Sequence, residues 1–214
     1  WYLDKLASNW NNVIEVDLKE TGRFKGIPQQ VDFYQDVVKK VDGKVFVIIS
    51  DAMRYDVAYS LAKQLEIETK ADVDISSQQG IYPTITKYGM AALLPHKKLE
   101  SIENNGATKV LVDGNPSEMS DRDGILKSYS ENSVALKYKD IITMKRDERR
   151  AAVKGKDIIY IYHDTIDASS HNDETTVFDA CDKAINEIKN LINVICGELN
   201  GLNVLITSDH GFLY

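Results

Sequence analysis

Asp209 and His210 stand side by side just after a short apolar run, Val204-Leu205-Ile206, and Gly211 follows them. The run reads as a buried strand, and open α/β sheets hold ligands outside the carboxyl ends of such strands. An Asp and a His are costly to bury there without a partner. A metal ion is a fitting partner: Asp supplies an anionic oxygen, His a neutral nitrogen, and Gly lets the backbone bend closely around the site. A strand entering a turn often ends in the same residue types for structural reasons alone. The pair therefore gains meaning only if other segments send matching groups to the same edge.

Three other segments do. Val45 to Ile49 are consecutive apolar residues, mostly β-branched, the pattern of a strand buried on both faces; it ends in Ser50-Asp51. A helix is expected from Ala52 through about Leu65, with Arg54 and Tyr55 in its first turn, so Asp51 is either a ligand at a strand end or a plain helix cap. Further on, a helix is expected from near Thr86 to a stop before Pro95. The Thr86 hydroxyl would then lie among free N–H groups, a favourable place for a phosphoryl oxygen, although Thr84 or Thr86 could simply cap the helix. Finally, the strand pattern Lys156 to Tyr162 runs into His163, Asp164, Asp167 and His171, which puts two of the chain's four histidines within nine residues. A polar surface loop is the bland alternative for that stretch.

In a parallel sheet all these strand ends share one edge. Together they make a site for two divalent metals with a hydroxyl between them. The Asp/His set suits zinc, with manganese where carboxylates dominate. Two cations about 4 Å apart can clamp a phosphoryl group and stabilise both the attacking and the leaving oxygen. A Thr hydroxyl beside them gives up its proton readily and becomes a nucleophile.

The elements that must position these groups alternate strand and helix, which implies an α/β fold with a mostly parallel sheet flanked by helices. Residues 1 to 16 carry an apolar face at near-helical spacing (Trp1, Leu3, Leu6, Trp10, Val13, Ile14) and read as a docking surface. Residues 20 to 28 read as a loop, Val31 to Val41 as a helix, and residues 66 to 82 as one or two strands. Thr108 to Gly114 is a short strand and turn, and the charged stretch from Asp121 to Arg150 reads as solvated helices of a cap. Residues 173 to 199 form a long amphipathic helix that carries both cysteines, Cys181 and Cys196, as packing residues. The division expected is a helical lead-in over 1–42, a first part of the core over 43–95, a cap or insertion over 96–155 of which part can belong to the core, and a second part of the core over 156–214.

A net charge of −7 argues against a broad basic surface for duplex nucleic acid, but nucleotides and short single strands remain open because bound cations supply positive charge locally. Two cysteines outside any C-x-x-C pattern fit a reducing cytoplasm. No apolar run approaches the roughly 20 residues of a membrane span, and no signal peptide is visible. The chain opens on Trp1 rather than Met and stops four residues past His210, so it is expected to be a piece of a larger protein.

Three motifs carry a resemblance. Ile49-Ser50-Asp51-Ala52-Met53-Arg54-Tyr55, the stretch Pro83 to Pro95, and Thr207-Ser208-Asp209-His210-Gly211-Phe212 resemble the PglZ domain, a branch of the alkaline phosphatase superfamily found in BREX phage-defence systems. The resemblance spans residues 44 to 214. It implies an alkaline-phosphatase-like core with a small cap insertion, truncated at the C-terminus. It also implies that Asp51, Asp209 and His210 hold one metal, that Asp167 and His171 hold the second, and that Thr86 is the nucleophile with Thr84 the runner-up. His163, Asp164 and Arg54 are candidates for supporting positions around the ligands. The superfamily's second site takes a further His from beyond the Asp-His-Gly motif, and His96 is a poor substitute. The second site is therefore expected to be incomplete in this chain, and its activity weak or absent. The function implied is a metal-dependent phosphoesterase acting on diesters, nucleotides or nucleic acid, working with other defence-system proteins and without a membrane. A non-catalytic module that binds a nucleotide or partner is the alternative, and a phosphomutase-like enzyme a more distant one.

Overall fold

The computed structural model describes residues 1–104, 106–170 and 176–212. Its centre is β1 (Val45–Ser50), every residue of which is buried. Two-sided burial follows from the unbroken apolar run: Phe46 and Ile48 face one core, while Val45, Val47 and Ile49 face the other. Each fully buried Val, Ile or Phe here contributes roughly 1.5–3 kcal/mol relative to exposure.

Parallel strands flank β1 on both sides. The sheet includes β5 (Ser133–Lys137), β6 (Ile158–His163) and β7 (Asn203–Thr207), in the order β5-β6-β1-β7. The register sets Ser50 opposite His163, and Ile49 opposite Tyr162 and Thr207. The expected α/β class is thus observed, and the carboxyl ends of β1, β6 and β7 meet along one edge.

One face of the sheet is covered by α3 (Tyr55–Glu68), α6 (Tyr138–Thr143), α8 (Thr165–Ser170) and α9 (Val177–Glu198). The opposite face is covered by α2 (Phe33–Asp36), α4 (Thr86–Ala92) and α5 (Arg122–Tyr129). An antiparallel sheet of β2 (Leu99–Asn104), β3 (Ala107–Val112) and β4 (Asn115–Pro116) also packs there through Val110 and Val112. Gly201 lets α9 turn back into β7: a Cβ there would lie 2.3 Å from Ile195 and 2.6 Å from the Phe46 ring.

Several local readings are corrected. Val31 to Val41 is not one helix but α2 between two short 3₁₀ turns, Gln30–Asp32 and Val38–Lys40. Residues 66 to 82 form no strand pair, only a single parallel bridge between Gln29 and Gln79. The stretch from Asp121 to Arg150 is not all solvated cap, since β5 is an edge strand of the main sheet and α5 buries Ile125 and Leu126. α6, α7 (Arg146–Ala152) and the outer side of α5, with its Asp123–Lys127 pair, keep charged faces toward solvent. Cys181 is buried and Cys196 is exposed, both as free thiols. The helix over residues 2 to 21, α1, leaves Trp1, Leu3, Leu6, Trp10 and Val13 exposed and buries Ile14.

Candidate active site

The end of β1 does not run straight into a helix. The Asp51 N–H donates to the His163 carbonyl (2.8 Å), which carries the β1–β6 ladder one step past the strand. Ala52 then takes a left-handed conformation, φ 63°, and α3 starts only at Tyr55 with Arg54 as its N-cap. A left-handed Ala costs on the order of 1–3 kcal/mol, and such strain is kept where a site needs it. The helix expected from Ala52 therefore begins three residues later, and Asp51 is not its cap. The strained turn instead aims the Ala52 N–H at Asp209 Oδ1 (3.1 Å), locking the end of β1 to the end of β7.

The groups at the end of β7 converge on the same point. His210 Nδ1 lies 2.7 Å from the Gly211 carbonyl, which can only accept, so Nδ1 carries a proton and Nε2 is turned toward Thr86 and the carboxylates. Nε2 lies 3.0 Å from Thr86 Oγ1, 3.5 Å from Asp51 Oδ1 and 3.4 Å from Asp209 Oδ2. Asp167, on α8, completes the group: one ligand atom each from Asp51, Asp167 and His210 lie within 4.8 Å of one another. Buried oxygens Asp51 Oδ1 and Asp209 Oδ2 receive no hydrogen bond.

Electrostatics show what this arrangement lacks. Burial, then the charges of Asp209 and Asp167, push the Asp51 carboxyl up to about 8, against a weaker opposing pull from Arg122. Burial likewise raises Asp209, although His210 and the Ala52 N–H oppose it. Carboxylates and an imidazole gathered this closely, with Asp51 Oδ1 and Asp209 Oδ2 lacking a hydrogen bond, have the chemistry of a candidate cation site. Asp51, Asp167, Asp209 and His210 can thus hold a divalent metal.

Thr86 is the first residue of α4 and is half-buried, with its hydroxyl on His210. Thr84 is exposed, and the hydrogen bond to His210 is made by Thr86. Gly89 explains how α4 comes so close. A Cβ there would sit 2.3 Å from the Asp209 carbonyl oxygen, so only Gly lets the helix lie against this backbone.

The remaining sequence candidates divide. His163 is buried at the end of β6, its Nδ1 3.0 Å from Ser50 Oγ and its Nε2 2.9 Å from Glu187 Oε2. Burial lowers its pKa more strongly than Glu187 raises it, which favours the uncharged imidazole. Asp164 turns outward to Lys139 (2.8 Å). Arg54 pairs with Asp56 (3.0 Å) and lies over the Phe212 ring. His96 folds back onto the Leu94 carbonyl (2.7 Å). His171 lies outside the described residues.

Sequence reasoning missed three contributors. Glu187, on α9, closes the His163 network and also accepts from Thr165 (2.5 Å). Arg122 is buried over the Tyr162 ring, with its Nε donating to the Ser117 carbonyl (3.2 Å); it lay hidden in a stretch that reads as surface charge. Gln30 is buried and donates to the carbonyls of Ser208 (3.0 Å) and Asp209 (2.7 Å). No spacing rule links residue 30 to residue 209.

Known proteins resemble the chain along its length. The model of the BREX system PglZ alkaline phosphatase-like domain matches residues 32–214. The chain is 39% identical over 223 residues to the alkaline phosphatase-like protein BrxZ of Escherichia coli O9:H4 (strain HS). It is 37% identical over 218 residues to the alkaline phosphatase-like protein PglZ of Bacillus cereus (strain H3081.97). Both alignments cover 100% of this chain but 25% of the relative, so the chain spans about a quarter of the length of these proteins.

Proposed function

Because the chain belongs to the PglZ family of BREX alkaline phosphatase-like domains, we propose that it is the phosphoester-cleaving part of a defence protein, with Thr86 as nucleophile at a divalent-metal centre. The single observation that carries this reading is the Thr86 hydroxyl, 3.0 Å from His210 Nε2, at the mouth of a carboxylate cluster with unsatisfied oxygens.

Asp51, Asp209 and His210 would hold one cation, and Asp167, which lies within reach of the same point, would serve that cation and, with His171, a second, zinc or manganese being the fitting ions. Cations bound there would lower the proton affinity of the hydroxyl and neutralise charge on the phosphoryl oxygens. The chain's own residues do the rest. Thr86 Oγ1 gives its proton to water and attacks phosphorus, the bond to the leaving oxygen breaks and that oxygen takes a proton from water to leave as the alcohol, and a second water then cleaves the phosphothreonine ester and frees the Thr86 hydroxyl. The Ala52 N–H and the Gly89 contact hold Asp209 while this happens, and the Gly211 carbonyl fixes the His210 tautomer. A phosphodiester, nucleotide or nucleic-acid substrate fits an acidic chain of this kind, because the cations would supply the positive charge. Other defence-system proteins are the proposed partners and the cytoplasm the proposed compartment; no helix among the described residues is long and apolar enough to cross a membrane.

The test is hydrolysis of a chromogenic phosphodiester with Mn²⁺ or Zn²⁺, with and without chelator, beside Thr86→Ala. Metal-dependent turnover that is lost with Thr86→Ala supports the reading. Metal uptake with no turnover in any form would move the domain to a binding role without catalysis.

A further inference from the structure

Residues 22 to 31 precede the part of the chain that matches the family model, yet they reach the centre of the site. Gln30 is 2% exposed, and both its amide N–H groups and its carbonyl oxygen are engaged. Its Nε2 donates to the Ser208 carbonyl (3.0 Å) and the Asp209 carbonyl (2.7 Å), while its Oε1 accepts from the Ile81 N–H (3.1 Å). One side chain thereby ties the segment leading to Thr86 to the strand end that bears Asp209 and His210. The Asp209 carbonyl is held from two sides, by the Gln30 amide and by the bare face of Gly89.

A strap of other amides holds Gln30 in place. Gln79 accepts from the Phe24 N–H (2.7 Å) and from Gln29 Nε2 (2.9 Å), and its backbone pairs with Gln30 (2.9 Å) and Pro28 (2.7 Å). Gln78 donates to the Thr207 hydroxyl (2.8 Å), one residue before Ser208. The strap carries no charge of its own. It is suited to fixing backbone direction where side chains must converge.

We propose that Gln30 is a positioning residue for the metal centre, and that the segment before the family domain is a working part of the site. The proposal rests on the metal-centre reading above. Gln30 acts through the backbone it holds at Ser208 and Asp209, whose Asp209 and His210 side chains cannot converge on Asp51 if that backbone drifts. Partners that orient metal ligands are worth about 10–100-fold in metal affinity.

The experiment compares Gln30→Met, which keeps length but loses the amide, with Gln79→Met, which cuts the strap without touching Ser208 or Asp209. Mn²⁺ affinity is measured by titration calorimetry on the full chain, and the thermal midpoint is measured on the metal-free protein. The expected result is an affinity loss of about tenfold or more in Gln30→Met and less than about threefold in Gln79→Met, at comparable midpoints. Gln30→Glu should lose at least as much, since a carboxylate would face two carbonyl oxygens. Equal midpoint losses in Gln30→Met and Gln79→Met with wild-type Mn²⁺ affinity in both would overturn the proposal. Wild-type protein that takes up no Mn²⁺ would overturn the metal-centre reading and this proposal together, an outcome distinguished by the wild-type titration itself.

Discussion

Two polar clusters lie at the same edge of the sheet, one at the last residue of β1 and one at the residue after it, and they are built to opposite rules. Around Ser50, each polar group of the His163 network has its partner: Ser50 holds Nδ1, and Glu187 holds Nε2 and receives Thr165. Around Asp51, two buried carboxylate oxygens have no donor, and the charges beside Asp51 repel it. Buried polar groups in native proteins are normally satisfied, so a satisfied cluster is explained by the fold, and an unsatisfied one asks for something outside the chain. The difference separates a structural histidine from a candidate ligand histidine although both follow strands and both are largely buried.

The largest effect expected to sharpen that contrast is catalytic. Thr86→Ala should remove whatever diester turnover the protein supports, which is expected to be weak in this chain, while Mn²⁺ affinity stays within about threefold. Turnover that survives the substitution would break the link between the unsatisfied cluster and the hydroxyl beside it. The same cluster should reveal itself through pH when metal is withheld. Asp51 binds its proton more tightly folded than unfolded, since burial and the neighbouring carboxylates raise it from 3.8 to about 8. Stability of the metal-free protein should thus be fullest below about pH 4 on this group's account and fall as pH rises toward 8. Denaturant titrations at pH 5 and pH 8 check this. Excess Mn²⁺ should erase the difference, and Asp51→Asn should flatten it; a metal-free protein more stable at pH 8 would contradict the assignment.

The satisfied cluster should answer differently. Glu187→Gln replaces a charged acceptor with an amide and leaves His163 and Thr165 poorly paired, a loss of about 1–3 kcal/mol in unfolding free energy. Metal affinity should remain within about twofold, measured beside the stability. A large loss of metal affinity would show that the two clusters are one unit.

Much of the unsatisfied cluster was legible in sequence. Asp51, Asp209, His210 and Asp167 each follow a strand, and a parallel sheet gathers such ends, so residue type and strand periodicity were enough to nominate them. What supports them was not. The left-handed Ala52 overrides a helical pattern that begins at that residue, and no local rule foretells it. Asp167 reads as loop but lies on α8. Gln30, Glu187 and Gly89 act through contacts with residues far away in the chain, which depend on strand order. Strand order was unreadable because each strand is apolar on both faces and carries no mark of its neighbour. β5 was absorbed into a charged stretch for the same reason that Arg122 was: composition there is dominated by exposed helices.

The smallest effect tests the edge of the comparison. His163 and Asp164 are adjacent in sequence, and residue type alone gave both the same standing beside the ligands. The structure separates them by direction. His163 points into the satisfied cluster, whereas Asp164 leaves the sheet for Lys139, with both side chains more than half exposed at 51% and 66%. Water screens such a pair, and exposed ion pairs are worth about 0–1 kcal/mol. Asp164→Asn should therefore shift unfolding free energy by no more than about 0.5 kcal/mol and leave metal affinity and turnover unchanged. The proper reading is a double-mutant cycle with Lys139→Ala, run at low and at high salt. A coupling that is small and vanishes with salt places the boundary of the site between residues 163 and 164. Loss of turnover in Asp164→Asn would move that boundary outward and bring Lys139 within reach of the chemistry.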